Sequence, residues 1–212
     1  MKKLRLGILA SGRGSNLQAI IDACEKPDFP AQVAVVISDN RDAMALERAR
    51  KHRIAAVHVP PGKHKTWMEP EVEGRMVSAL REQAVELVCL AGYMRVVKKT
   101  LLEAFPQRVI NIHPALLPSF RGLEGQKQAL EYGCKVAGCT VHFVEADVDT
   151  GPIICQAAVP VMEEDDADAL SHRILEWEHR MYPHAIRLIA EGKLKIQGRR
   201  VHVEGDRGGF TS

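Results

Sequence analysis

Short apolar runs alternate with helix-forming segments along the first half of the chain, and this alternation constrains the fold more than any other feature. The runs cover residues 4–9, 33–38, 56–59, 87–91 and 108–113. Helical patterns separate these runs, and they cover residues 16–25, residues 43–52, a segment that ends at about residue 83, and residues 98–103. Continuous apolar strands separated by helices are typical of a parallel sheet that is covered on both faces. The sequence therefore predicts an α/β fold with a mostly parallel central sheet and helices on both faces.

The last third of the chain has a different pattern. Residues 137–144 and 153–161 are rich in β-branched side chains with no helix between them, so we expect an antiparallel pair of strands. A long helix is predicted over 167–190. Residues 193–196 and 201–203 then suggest a small closing hairpin. We therefore expect an antiparallel C-terminal part beside the parallel sheet.

One domain accommodates all of these elements. The chain has 212 residues, of which 46% are hydrophobic and 26% charged, and these values are typical of a globular protein. The sequence shows no internal repeat and no linker between domains. It predicts one domain over residues 1–204, with halves at about 1–105 and about 106–204, followed by a flexible tail over 205–212.

Charge and cysteine usage limit the partners that the protein can have. The 29 Lys and Arg residues nearly balance the 27 Asp and Glu residues, and no long basic run is present, so we expect no nucleic-acid partner. No apolar stretch approaches the ~20 residues of a membrane span, so we expect no membrane partner. The 5 cysteines form an odd set without a C-x-x-C pair, which indicates a reducing, cytoplasmic location without disulfides or a zinc site.

A glycine-rich loop, residues 11–16, follows the first strand and opens a helix. Glycines allow a tight turn there, and a helix N-terminus presents unpaired N–H groups to an anion. Leu17 stands where a dinucleotide site has its third glycine, and no lysine completes a P-loop. The loop therefore suits one phosphate monoester, with Ser15 and Asn16 as further donors. The alternative is a tight strand–helix turn that Ser15 caps.

Asn111 and His113 are two residues apart on a predicted strand, so both side chains point to one face of the sheet. Pro114 favours an extended backbone at His113, which supports this arrangement. The pair suits chemistry at a carbonyl group, because the Asn amide can donate to an oxyanion and the His can carry a proton between two nitrogens. The alternative is a turn Asn and a His with a structural hydrogen bond.

An acidic turn, residues 145–152, connects the two late strands. Such turns are common solvated loops, and metal binding is conceivable. The turn has neither an EF-hand pattern nor a His or Cys partner at a suitable spacing, so we predict no metal.

Four motifs together resemble one enzyme family. They are SGRGSNLQAI at 11–20, CLAGYMR at 89–95, NIHPALLP at 111–118, and VHFV at 141–144 followed by DTGP at 149–152. They are similar to those of the folate-dependent glycinamide ribonucleotide formyltransferases, in order, from about residue 4 to 196. The resemblance implies a formyltransferase (Rossmann-like) fold. It also implies transfer of the formyl group of 10-formyltetrahydrofolate, a co-substrate, to the amine of glycinamide ribonucleotide in purine biosynthesis.

The resemblance also implies roles for particular residues. Asn111 and His113 would stabilise a tetrahedral intermediate, and Asp149 would raise the pKa of His113 toward neutrality. The ribonucleotide would be bound by Gly14, Ser15, Asn16 and Glu178. The folate would be bound by Met94, Arg95, Val96, Val97, Asn111, Glu145, Ala146, Asp147, Val148 and Asp149. The first half would bind the ribonucleotide phosphate, and the second would hold the catalytic residues and most of the folate-binding residues. The Leu117–Pro118 bond would be cis.

The sequence departs from the family pattern at three positions that concern binding. Glu69 lies where members often have an Arg near the folate, Gln126 replaces a loop His, and Leu175 replaces a Gln that faces the ribonucleotide in some members. The reaction type is therefore better determined than the substrate contacts. We expect small-molecule substrates and a monomer or homodimer.

Three alternatives differ in what the site would do. A formyltetrahydrofolate hydrolase uses the same Asn, His and Asp with water as acceptor, but its relatives carry an N-terminal regulatory domain. A methionyl-tRNA formyltransferase has a further C-terminal domain. A non-catalytic nucleotide-binding module is disfavoured because the Asn, His and Asp are all present. The extent of the chain therefore favours the glycinamide ribonucleotide enzyme.

Overall fold

The computed structural model describes residues 2–205, and the chain divides between Asn111 and Ile112 into two compact units. Within the predicted tail, residues 206–212 lie outside the described residues. None of the helices in the described part of the chain is long and apolar enough to cross a membrane.

The first unit is a parallel α/β layer. Its strands are β1 (Leu4–Leu9), β2 (Ala31–Ser38), β3 (Ala55–His58), β4 (Leu87–Leu90) and the first three residues of β5 (Val109–His113), in the order β3-β2-β1-β4-β5; the last two residues of β5 belong to the second unit. Its helices are α1 (Ser15–Cys24), α2 (Met44–Lys51), α3 (Pro70–Glu82) and α4 (Lys99–Ala104). The strand order reverses direction between β1 and β4, and ligands of such sheets bind beyond the carboxyl ends of the strands at this switch point. The glycine loop after β1 and the segment after β4 both lie there.

Burial explains why these segments form strands and helices. Leu6, Ile8 and Leu9 of β1 are fully buried, as a central parallel strand requires. A Cβ atom at Gly7 would overlap the side chain of Leu80 on α3, so glycine allows this helix to pack directly against β1. The apolar runs of the sequence are therefore the core of the first unit.

A buried carboxylate fixes the start of α4. Glu73 on α3 is 1% exposed, and its two oxygens accept hydrogen bonds from the Lys98 amide at 2.6 Å and the Leu101 amide at 3.3 Å. No side chain at the N-cap position of α4 makes a capping bond, so Glu73 satisfies N–H groups that would otherwise lack intrahelical partners. This contact also fixes the end of the segment that joins β4 to α4.

The second unit is largely antiparallel and carries one long helix. Its elements are α5 (Gly125–Tyr132), β6 (Val136–Phe143), β7 (Ile153–Pro160), α6 (Ala167–Ala190), β8 (Leu194–Gln197) and β9 (Arg200–Val203). β6 pairs with β7 and β8 with β9 in antiparallel fashion, while Ile153 of β7 pairs in parallel with Arg200 of β9. Asp166 caps α6 by accepting a bond from the Ala169 amide at 2.7 Å.

The α/β class, the mostly parallel sheet and the antiparallel C-terminal strands are confirmed, and the predicted elements end within about two residues of the observed ones. Helix α5 was not predicted. Its N-cap residue, Glu124, is left-handed and makes no side-chain capping bond, so the usual sequence signal for a helix start is missing. A signal for its end exists, because Gly133 follows the helix in a left-handed conformation.

Candidate active site

Strand β5 carries the two polar residues that the sequence analysis selected. Ile110 and Ile112 are buried and alternate with Asn111 and His113, so the latter two lie on the same face of the strand. Asn111 is half-buried and His113 is 4% exposed. Local strand geometry therefore places an amide and an imidazole side by side at the carboxyl end of a parallel strand.

The ring of His113 lies between two acceptors. Its Nε2 is 2.8 Å from the carbonyl oxygen of Phe120, and because a carbonyl can only accept, Nε2 carries a proton. Its Nδ1 is 3.4 Å from Oδ2 of Asp149. A ring with an acceptor at each nitrogen favours the doubly protonated form, and burial opposes it.

Asp149 is the centre of a group of polar contacts in the second unit. Its Oδ2 accepts a hydrogen bond from the Gly122 amide at 2.8 Å, and its Oδ1 lies 3.5 Å from Nε2 of His142. The side chain is only 9% exposed, whereas the neighbouring Glu145 and Asp147 are exposed. One carboxylate of the acidic turn is therefore directed inward, between two imidazoles.

Backbone geometry produces this inward turn. Asp149 has a φ of 52°, in the left-handed region, where Asp is one of the more tolerant residues. Two residues later, a Cβ atom at Gly151 would overlap the carbonyl of Phe143, so only glycine fits. The strands on either side of the turn thus approach closely enough to bury the carboxylate.

The pKa of His113 is lowered from its ordinary value. Burial disfavours the imidazolium and is the largest cause, while Asp149 and the Phe120 carbonyl act in the opposite direction. Asp149 thus has the expected direction of effect, but the expectation that it raises the net pKa toward neutrality is wrong, because burial outweighs it. Burial raises the pKa of Asp149. The hydrogen bonds from His142 and Gly122 and the nearby imidazoles lower this pKa by more than burial raises it, so the net pKa lies below the ordinary value.

A buried hydroxyl holds the loop that follows His113. Thr140 Oγ1, on β6, donates to the carbonyl of Ala115 at 2.6 Å and accepts from the Leu117 amide at 3.1 Å. Gln156 on β7 donates to the same hydroxyl at 2.9 Å and to the Leu117 carbonyl at 3.0 Å. The Leu117–Pro118 bond is cis, as the resemblance implied. This role of Thr140 is not visible in the sequence, because bonds to backbone carbonyls leave no pattern there.

A cavity of 640 Å³ lies beside the acidic turn. It is lined by Leu117, Pro118, Arg121, Glu145, Asp147, Asp149, Thr150, Gly151, Ile153 and Arg199. Arg199, in the turn between β8 and β9, donates from Nη2 to the carbonyl of Thr150 at 2.6 Å. The role of Arg199 as a support of this turn could not be predicted from the sequence, since Arg199 and Thr150 are far apart in the chain.

The glycine loop leads directly into helix α1. Helix α1 begins at Ser15, and its N-cap is Gly14, with φ 69° and no side-chain capping bond, so the alternative of a turn that Ser15 caps is not observed. Ser11 connects the loop to the segment after β4: its amide donates to the Gly92 carbonyl at 3.0 Å, and its hydroxyl accepts from the Met94 amide at 3.0 Å. The loop and residues 93–97 are therefore held together within the first unit.

The predicted folate segment is fixed by its own contacts. Arg95 Nε pairs with Asp39 Oδ2 at 2.6 Å, and its Nη1 donates to the carbonyl of His64 at 2.6 Å. The Val96 amide donates to the carbonyl of Thr66 at 2.8 Å. Asp39, which directly follows β2, is therefore the carboxylate that orients Arg95. At the position that lacks the family Arg, Glu69 Oε1 instead accepts from the Lys63 amide at 3.1 Å, which closes the loop before α3.

The remaining predicted binding residues lie in the second unit. Glu178 is buried on α6, and its carboxylate adds to burial in raising the pKa of Cys139 on β6. Val148 is 45% exposed at the acidic turn, beside Ala146, which is also exposed. Among residues 2–205, no group of three or more His, Cys, Asp or Glu side chains is arranged to hold a metal ion.

Comparison with known proteins identifies the family. A family model described as formyl transferase matches residues 4–186. The chain belongs to the formyl transferase family. The phosphoribosylglycinamide formyltransferase of Haemophilus influenzae is 38% identical over 206 residues, which are 97% of this chain and 95% of that protein. The crystal structure of glycinamide ribonucleotide transformylase 1 from Symbiobacterium toebii matches this formyl transferase with a TM-score of 0.91 and 56% identity, covering 95% of this chain and 94% of that one.

Longer relatives contain the same region. The human trifunctional purine biosynthetic protein adenosine-3 is 41% identical over 196 residues, which are 92% of this chain and 19% of that protein. The chain thus spans about a fifth of the length of that trifunctional relative. The family resemblance and the formyltransferase fold expected from the motifs are confirmed.

Replacement of Asp149 by Asn tests the balance of effects on His113. The carboxylate stabilises the imidazolium, so its loss lowers the pKa of His113 below the wild-type value, and the acid limb of any rate profile that follows this ring moves to lower pH. An NMR titration of the imidazole resonances measures the pKa. An unchanged or higher pKa would contradict the assigned contact, and Asp147→Asn, at an exposed position of the same turn, is the matched control.

Proposed function

We propose that this formyl transferase moves the formyl group of 10-formyltetrahydrofolate to the amine of glycinamide ribonucleotide in purine biosynthesis. The observation that carries the proposal is the buried His113–Asp149 contact at the end of the strand that also bears Asn111. A carboxamide donor and a proton carrier beside one another are what formyl transfer between two nitrogens needs. The names and the full-length identity of the bacterial relatives support the choice of acceptor.

Each member of this group has its own part in the chemistry. The amine nitrogen of the ribonucleotide attacks the formyl carbon, which forms a new C–N bond and leaves a tetrahedral oxyanion. The amide of Asn111 donates to that oxygen. His113 accepts the proton that the attacking nitrogen loses and returns it to N10 of the folate as the bond from N10 to carbon breaks. Asp149 stabilises the imidazolium while it holds this proton.

The contact between His113 and Phe120 bears on this proton transfer. Nε2 already donates to the Phe120 carbonyl at 2.8 Å, so it cannot exchange a proton with a substrate nitrogen at the same time. We infer that substrate binding replaces this contact and that the neutral ring then carries its single proton on Nδ1, toward Asp149, which leaves Nε2 able to accept the proton of the attacking nitrogen. Phe120 and Glu124 both have left-handed backbones, with φ of 53° and 59°, and such conformations cost free energy that a change in the loop releases.

We infer the substrate contacts from the family. Gly14, Ser15 and Asn16 bind the ribonucleotide phosphate, and Glu178 binds the ribose side. The folate is bound by Asn111 and by the segments Met94–Val97 and Glu145–Asp149, largely through backbone groups. The partners of the protein are these two small-molecule substrates, and the reaction uses no nucleic acid, membrane or metal. The protein acts as a monomer or a homodimer. Cysteines that form no disulfide suit the reducing cytoplasm.

An acceptor-dependence assay tests the proposed reaction. The protein is incubated with 10-formyltetrahydrofolate, with and without glycinamide ribonucleotide, and formation of tetrahydrofolate is followed. We expect tetrahydrofolate only in the presence of the ribonucleotide. Equal release without the ribonucleotide would indicate a hydrolase, and no turnover in either case would indicate a non-catalytic module.

Replacement of Asn111 by Ala tests the oxyanion contact. Loss of one preorganised donor to an oxyanion typically lowers kcat ~10²–10³-fold, and we expect a loss of that size with an unchanged melting temperature. Steady-state kinetics at saturating substrates measure it. A loss below about threefold would exclude Asn111 as an oxyanion donor, because it is far smaller than the loss that removal of one such donor produces.

A further inference from the structure

Helix α2 holds two consecutive carbonyl groups of the glycine loop. The Ala45 amide donates to the Gly12 carbonyl at 3.1 Å, and Nε of Arg48 donates to the Arg13 carbonyl at 2.9 Å. A Cβ atom at Gly14 would lie 3.0 Å from Cα of Ala45, so the loop also packs directly on this helix. Of these contacts, only the one from Arg48 is made by a side-chain donor.

These contacts determine where the loop amides point. In a planar trans peptide, the carbonyl of one residue and the N–H of the next point in opposite directions. Fixing the Gly12 carbonyl therefore directs the Arg13 N–H away from α2, and fixing the Arg13 carbonyl does the same for the Gly14 N–H. A loop that binds an anion through its amides needs this arrangement, with its carbonyls turned to the other side.

Arg48 is itself held in place by α1. Its Nη1 donates to Oε1 of Gln18 at 3.0 Å, while its Nε bonds to the loop. The amide nitrogen of Gln18 is fixed in turn by Oδ1 of Asp22 at 2.8 Å and contacts Nε2 of His52 at 3.1 Å. The planar guanidinium thus uses two donors in one fixed orientation, an arrangement that a lysine ammonium does not reproduce.

We propose that Arg48 is a positioning residue for the ribonucleotide phosphate: it orients the peptide between Arg13 and Gly14 so that the loop amides face the phosphate. This inference rests on the proposed function, because it assigns the phosphate to the glycine loop. It gives α2, a helix outside the predicted binding residues, a defined part in substrate affinity.

Three variants separate orientation from charge. Arg48→Lys keeps the positive charge and loses the planar pair of donors, whereas Arg48→Gln loses both. Arg50→Gln removes an exposed arginine from the same helix and is the matched control. We expect both Arg48 variants to raise the KM for glycinamide ribonucleotide about tenfold, the usual size for loss of a charge-assisted bond. Their kcat, KM for 10-formyltetrahydrofolate and melting temperature should remain close to wild type.

The outcomes distinguish this inference from the proposed function. If Arg48→Lys behaves as wild type, Arg48 acts through charge alone, and the inference is wrong. It is equally wrong if Arg48→Gln is unaffected, if Arg50→Gln has the same effect, or if both substrates lose affinity together. Titration calorimetry with glycinamide ribonucleotide measures binding separately. A wild-type protein that binds the ribonucleotide but transfers no formyl group would overturn the proposed function alone, and one that does neither would overturn both.

Discussion

The burial of one carboxylate, that of Asp149, is the constraint on which the candidate site depends. A carboxylate that is 9% exposed needs partners, and it has the Gly122 amide and the two imidazoles of His113 and His142. These partners come from a strand end, a second strand and a loop of the second unit, so one carboxylate fixes the positions of three segments relative to one another. The left-handed backbone at Asp149 and the close approach at Gly151 are the local cost of turning the side chain inward.

Two opposing effects act on the protonation of His113, the residue to which the proposed mechanism assigns proton transfer. Burial lowers its pKa, while Asp149 and the Phe120 carbonyl raise it, and burial prevails in the structure described here. Because the opposing contributions act on the same ring, a substrate that replaced one of the contacts, as proposed above, would change the balance and move the proton. A group that both takes and returns a proton within one reaction needs such a balance near the working pH.

The positions of residues that follow a local periodicity could be predicted from the sequence. The roles of residues that depend on contacts distant in the chain could not. Apolar runs predicted the parallel strands, and the two-residue period of a strand placed Asn111 and His113 on one face. The acidic turn was visible, but no pattern distinguishes the buried Asp149 from the exposed Asp147, and the family resemblance was needed to select it.

Arg48, Thr140 and Arg199 bond to backbone carbonyls far away in sequence, and such bonds do not depend on the partner's side chain. The net pKa of His113 was also mispredicted, because a sequence names the nearby charge but not the depth of burial.

The fate of the formyl carbon tests the central claim most directly. The protein is given 10-formyltetrahydrofolate labelled with ¹³C in the formyl group, together with glycinamide ribonucleotide, and the carbon is followed by NMR over a single turnover. We expect the label to appear as a formamide on the amine of the ribonucleotide, with no free formate. Label that appears as formate in solution, with the ribonucleotide unchanged, would contradict it.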